Sequence, residues 1–168
     1  MNAALRAALR AVLAARPPAQ ACADWLASAH DHPTAVWDAW CEGPAILPLG
    51  RLFDAIRISA ATVHAAADAT AHGEVAAVLA RLRGPVVRDP WQDRYYALVP
   101  PQTTETWPTG YARCLGRGAW LGVPVPGLDT RHGLIWRVPM PWPGVLCHPR
   151  DVADLVQAGH LRLSGAAP

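Results

Sequence analysis

Proline and glycine cut this chain into short pieces, and that punctuation constrains its fold more than any other feature. Seventeen Pro and 13 Gly are spread over 168 residues. Pro17-Pro18, Gly43-Pro44, Gly50, Gly73, Gly84-Pro85, Pro100-Pro101 and Pro149 each end or open a segment. Proline removes a backbone donor and fixes φ, and glycine favours turns and helix ends. The pieces between them are apolar enough to pack: 52% of residues are hydrophobic and 17% are charged. No piece is an uncharged apolar run of about 18 residues, so no membrane span is expected. One domain of short helices and strands around a shared core fits this length.

The periodicity within each piece says which it is. Leu5, Leu9, Val12 and Leu13 fall on one helical stripe with Arg6 and Arg10 outside it, predicting a helix over 3–16. Helices follow over 19–29 and 33–41, the latter with Trp37 and Trp40 on one face. Short apolar runs at 45–49 and 52–58 read as strands. Ser59 is a natural N-cap for a helix over 60–71, and 74–83 forms another. Residues 85–88 and 94–99 read as a hairpin, because Asp89-Pro90-Trp91-Gln92-Asp93 has turn chemistry. Strands near 112–115, 119–123 and 134–138 follow, with a Pro/Gly-rich loop at 124–133. A last helix runs over 150–158, with Gly159 as its stop. This order predicts an α+β domain with a mainly antiparallel or mixed sheet and flanking helices. It divides into an N-terminal helical segment (1–33), a core (34–145) and a C-terminal helix and tail (146–168).

All 15 basic residues are Arg, and Lys is absent. Together with abundant Ala and Pro this is the bias of GC-rich coding, as in a high-GC bacterium, so Arg as such signals no function. Its placement is more informative. Residues 81–137 carry eight Arg against four acids, and such a stretch attracts phosphates. The four cysteines lie far apart with no C-x-x-C, and Arg6, Arg10 and Arg16 interrupt the only apolar stretch near the start. A cytoplasmic protein with reduced thiols is expected.

Several constellations are weighed and set aside. His30-Asp31-His32 lies between Cys22 and Cys41, but its spacing matches no zinc knuckle. No serine sits in G-x-S-x-G, and a phosphate loop ending in Lys cannot exist in a chain without Lys. His148 reads as a cap of the last helix. No cofactor and no metal is implied. The eight Trp divide between core candidates (Trp25, Trp37, Trp40) and aromatics in turns or strands beside Arg, where Trp91, Trp120 and Tyr96 could stack on bases.

The middle of the chain resembles a known family. Trp37-x-x-Trp40, Gly43-Pro44-Ala45-Ile46 and Gly50 are similar to the entry segment of the bifunctional DNA primase–polymerase (archaeo-eukaryotic primase-like) domain. Arg94-Tyr95-Tyr96-Ala97-Leu98-Val99-Pro100 is similar to that family's H-L-Y-F-x-V-P strand. Leu115-Gly116-Arg117-Gly118-Ala119-Trp120-Leu121-Gly122-Val123-Pro124 resembles its R-G-x-G-G-Y-V-V-A-P segment, and Gly133-Leu134-Ile135-Trp136 its G-x-x-Y-x-W strand. The resemblance covers about residues 34–138. It implies a primase–polymerase-like core and, for the family, nucleotidyl transfer on two metal ions.

This chain departs from the pattern where the chemistry lies. The family's D-x-D falls on Arg57 and Ser59, its His on Arg94, and its later Asp near Arg113. Arginine neutralises phosphate but holds no metal. The family's opening G-W-P-V-F-P-L strand is also missing. The resemblance therefore implies a degenerate, non-catalytic member. It would bind DNA or a nucleotide through an Arg-bearing sheet face carrying Arg57, Arg88, Arg94, Arg113 and Arg117. The alternative is that these Arg point outward or pair with acids such as Asp54 and Asp93. On strand alternation Asp54 faces away from the Arg side. A second reading is a protein-interaction module using the N-terminal helix and the Trp/Pro-rich 139–147 segment. A third is a metal-dependent enzyme using Asp54 with distant acids.

Overall fold

The computed structural model describes residues 2–128 and 133–165. Helices α1 (Asn2–Ala14), α2 (Ala19–Ala27) and α3 (Pro33–Glu42) come first. Strands β1 (Ala45–Pro48) and β2 (Asp54–Ser59) lead into helices α4 (Ala60–Ala67) and α5 (His72–Ala80). Then follow β3 (Val86–Asp89), β4 (Arg94–Val99), a short helix α6 (Thr103–Thr106), β5 (Arg113–Leu115), β6 (Trp120–Val123), β7 (Ile135–Val138) and α7 (Pro149–Leu163). The fold is α+β, as the segment order predicts.

Five strands form an antiparallel sheet in the order β5-β2-β4-β3-β7. The β3–β4 hairpin closes where the turn chemistry places it, with Asp89 opposite Arg94. Asp89 Oδ1 accepts the backbone N–H groups of Trp91 and Gln92, each at 3.0 Å. β1 does not join this sheet. It pairs with β6 as a separate antiparallel ribbon, Ala45 opposite Val123. No local signal shows this, because the two strands are far apart in sequence.

Side chains alternate across the sheet and so feed two cores. Ile56, Ile58, Tyr95, Ala97 and Val99 pack with residues of α4, α5 and α7. Ala55, Val87, Tyr96 and Leu98 face the other way and pack with α2, α3 and the ribbon. Ser59 caps α4, its hydroxyl accepting from the Thr62 N–H at 3.1 Å. The His148 ring accepts from the Arg150 N–H and caps α7.

Two expectations are corrected here. Gly159 does not stop the last helix, which runs on to Leu163. It is buried inside α7 where that helix crosses α4. The apolar stripe of α1 packs only in part: Leu13 is fully buried and Leu9 lies against the core. Leu5 and Val12 are exposed, whereas Arg6 and Arg10 turn inward to Asp38 and Asp24. The Arg10 guanidinium lies 4.1 Å over the Trp37 ring. The packing face therefore carries Arg6, Leu9, Arg10 and Leu13, turned from the centre of the apolar stripe toward the acids and the indole on α2 and α3.

Among the described residues no helix is long and apolar enough to cross a membrane. All four cysteines are free, and Cys22 and Cys147 are fully buried. Burial, with the Asp151 carboxylate adding to it, pushes the Cys147 thiol up to about 12. Burial and then the Asp54 carboxylate push Cys114 up to about 12 as well. The thiolate is the reactive form. Titrating the native protein with a thiol reagent at neutral pH is therefore expected to leave Cys22, Cys114 and Cys147 largely unmodified. All four cysteines should react once denaturant is added. Rapid labelling of all four in the native protein would contradict this packing.

Candidate functional site

Alternation decides which Arg can meet. Arg57 on β2 stands opposite Tyr96 on β4 and opposite Arg113 on the edge strand β5. Arg94 stands opposite Ser59 on one side and Asp89 on the other. All four of Arg57, Arg94, Arg113 and Tyr96 therefore belong to the face that looks toward the β1–β6 ribbon. Between this end of the sheet and the ribbon lies a cleft of about 220 Å³. Arg57, Arg94 and Tyr96 line it from the sheet, Trp120 and Leu121 from β6, and Gln92 from the hairpin turn.

Arg57 and Arg94 are half-buried, and Arg113 is exposed. Among the described residues none of the three forms an ion pair or a side-chain hydrogen bond. Asp89 also lines the cleft, but its Oδ1 is engaged by the turn. Like charges directly opposite on paired strands repel, so the Arg57–Arg113 pair is unfavourable without an anion. Arg57 and Arg94 do not pair with Asp54 or Asp93, the alternative the sequence left open.

Two of the expected Arg are elsewhere. Arg88 lies on the opposite face of β3. It donates to Asp93 Oδ1 at 2.5 Å and to the backbone oxygens of Asp89 and Arg94 at 2.7 and 3.0 Å. Its guanidinium sits 4.6 Å over the Tyr95 ring. It holds the hairpin together and is not available to a ligand. Arg117 sits in the β5–β6 turn and lines a different, smaller cavity beside Asp54.

The aromatic residues also divide. Trp120 is 57% exposed at the cleft wall, with the His30 ring 6.2 Å away. Tyr96 lines the cleft but is 9% exposed, so it is wall rather than platform. Trp91 is 76% exposed, yet its ring lies against Gly133 and not in the cleft. Gln92 and Asp89 were not foreseen as cleft residues. The hairpin register that brings them there is readable from the turn, but nothing marks their side chains as functional.

Asp54 does face away from Arg57, as alternation requires, but it is fully buried rather than solvated. Burial raises its carboxyl above the ordinary range, opposed by hydrogen bonds from Thr104, Thr103 and Gln102. No protein-family model, curated protein or solved structure matches this chain.

Proposed function

We propose that this chain is a non-catalytic, primase–polymerase-like domain that binds nucleic acid or a nucleotide in the cleft between β2, β4 and β6. The observation that supports it is the pair Arg57 and Arg94, half-buried in one cleft and forming no ion pair, with two guanidinium groups there against the single carboxylate of Asp89. A guanidinium is a planar fork suited to phosphate oxygens. A phosphate between the two Arg relieves their repulsion, and the Arg113 guanidinium at the edge extends the positive surface. A base leaving this phosphate meets the exposed Trp120 ring, whose face stacks on any base. The side chains at the family's catalytic positions are Arg57, Ser59, Arg94 and Arg113. They supply charge neutralisation and no general base, so the cleft holds a phosphate without cleaving or transferring it.

The test is fluorescence anisotropy with labelled single-stranded DNA at low and at physiological salt. Arg57→Ala and Arg94→Ala are each expected to weaken binding roughly tenfold, since a charge-assisted hydrogen bond is worth about 1.5–3 kcal/mol. Each should also reduce the salt slope by about 0.7. Arg81→Ala, at the C-terminus of α5 in the opposite helical layer, should change neither. Absence of binding at low salt, or binding indifferent to both cleft substitutions, overturns the proposal.

A second reading, a protein-interaction surface, draws on the exposed Trp142, Val145, Leu5 and Val12. Exposed aromatics anchor interfaces. Concentration-dependent light scattering, or retention of a partner that Trp142→Ala abolishes, favours it over the cleft.

A further inference from the structure

A carboxylate stands in the anion cleft, where it would repel a phosphate. It belongs to Asp89, which lines the cleft with Arg57 and Arg94. Asp89 on β3 is directly opposite Arg94 on β4, so the two side chains share a face. Capping the hairpin turn occupies only Oδ1, which accepts the Trp91 and Gln92 N–H groups. An asparagine would cap that turn equally well. Oδ2 takes part in no hydrogen bond, and Asp89 forms no ion pair with Arg94. Among the described residues the sealed side-chain atoms without a partner belong to Asp54 and Arg137, so Oδ2 of Asp89 keeps access to solvent. Beside it Gln92, exposed in the turn, lines the same cleft with an amide that is also unpartnered.

The cleft thus has a cationic side and a hydrogen-bonding side. β4 separates β3 from β2, so Asp89 and Arg57 stand two strand spacings apart, about 10 Å across the sheet. A nucleotide spans such a gap from its phosphate to the far edge of its base. We propose that this cleft selects guanine, an inference that rests on reading it as a nucleotide site. The phosphate lies at Arg57 and Arg94, the base lies on the Trp120 ring, and the Watson–Crick edge meets Asp89 and Gln92.

Guanine presents N1–H and the N2 amino group side by side, two donors for the two lone pairs of Oδ2. Its O6, next to them, accepts from the Gln92 amide. Every other base sets a lone pair against the carboxylate. Adenine has N1 beside its amino group, cytosine has N3, and thymine or uracil flanks its one N–H with two carbonyls. Pairing hides this edge in a duplex, so the ligand is an unpaired guanine nucleotide.

Isothermal titration of the full chain with GMP, IMP, AMP, CMP, UMP and inorganic phosphate tests this. GMP should bind roughly tenfold tighter than AMP, CMP or UMP, since each of these loses a hydrogen bond to a charged group. IMP, which lacks the N2 amino group, should fall between. Asp89→Asn keeps the Oδ1 cap and turns Oδ2 into a donor. It should erase the preference for GMP and tighten inorganic phosphate several-fold, because a negative charge leaves the cleft. Gln92→Ala should narrow the preference several-fold, and it lies in the exposed turn, so it serves if Asp89→Asn fails to fold. Arg94→Ala should weaken every nucleotide alike and keep their order. An oligothymidylate carrying one central guanine distinguishes a strand from the free nucleotide by its affinity against GMP, and in either case the all-thymine strand should bind more weakly. Equal binding of all the nucleotides overturns guanine selection and leaves the anion cleft standing. So does an undiminished preference in Asp89→Asn, or in Gln92→Ala where Asp89→Asn does not fold. Absence of binding by any nucleotide, phosphate or strand, or binding indifferent to Arg57→Ala and Arg94→Ala, overturns the cleft itself and this inference with it.

Discussion

Gly159→Ala is expected to lower the melting temperature by roughly 4–8 °C, although alanine is the better helix former. A Cβ at this position would stand 2.1 Å from the Thr62 carbonyl oxygen and 2.8 Å from its Cγ2. The carbonyl belongs to the backbone of α4 and cannot rotate away like a flexible side chain. α7 must therefore move off α4, and with it go the contacts of Val152, Leu155 and Val156 with the helical-side core. Overpacking of this kind costs about 1–3 kcal/mol. The higher helix propensity of Ala returns about 1 kcal/mol. We expect a net loss near 2 kcal/mol, because the clash is with backbone on both sides and places the cost at the top of its range. For a chain of this length each kcal/mol moves the midpoint by about 2–4 °C. Gln157→Ala, exposed in the same helix, controls for propensity and should be neutral. If Gly159 merely ended the helix, alanine there would be tolerated. A melting temperature unchanged or raised in Gly159→Ala would thus restore the sequence reading and remove the α4–α7 crossing.

Gly159 also shows where sequence reasoning reaches its limit. Its neighbours give the pattern of a helix stop, and only the position of Thr62, remote in sequence, turns it into a contact point. The same distinction runs through the fold. Helix periods, the Ser59 and His148 caps and the β3–β4 turn are local, and the structure has them where the residues place them. The pairing of β1 with β6 and the inward turn of Arg6 and Arg10 are decided by partners distant in sequence.

The site divides in the same manner. Once Asp89 is opposite Arg94, Arg88 must lie on the face of Tyr95, away from Arg94. The turn contained that information, and alternation along the hairpin would have removed Arg88 from the candidate set. The separation of Arg117 from Arg57 was not readable. It depends on how the β5–β6 turn folds against Gly50. The burial of Asp54 was not readable either, since it takes the 102–104 backbone to cover it.

Trp37→Ala is expected to have the largest effect of any single substitution in the N-terminal half. Trp37 is 1% exposed and meets Trp40 edge to face, with centroids 5.4 Å apart and planes at 88°. Edge-to-face geometry adds attraction beyond the buried area. Trp40 is held in turn by its indole N–H, which donates to the Val123 carbonyl of β6 at 3.0 Å. Trp37 thus joins three elements: α1 through Arg10, the ribbon through Trp40, and the sheet through the shared core. Removing a buried indole costs about 3–5 kcal/mol, a large part of the 5–15 kcal/mol that holds a domain folded. The midpoint should fall by roughly 10 °C. The loss should not be uniform. Arg10 loses the ring beneath it and keeps only its partly exposed pairing with Asp24 at 3.2 Å, a contact of little strength in water. α1 should therefore loosen first, and trypsin should cleave after Arg6 and Arg10 under conditions where the wild type resists. Trp37→Phe keeps a ring under Arg10 and edge-on to Trp40, so it should recover much of both effects. An alanine variant that melts with the wild type would mean that α1 and the ribbon are not joined through this indole. Early cleavage after Arg6 and Arg10 in the wild type itself would mean that α1 is not held by α3.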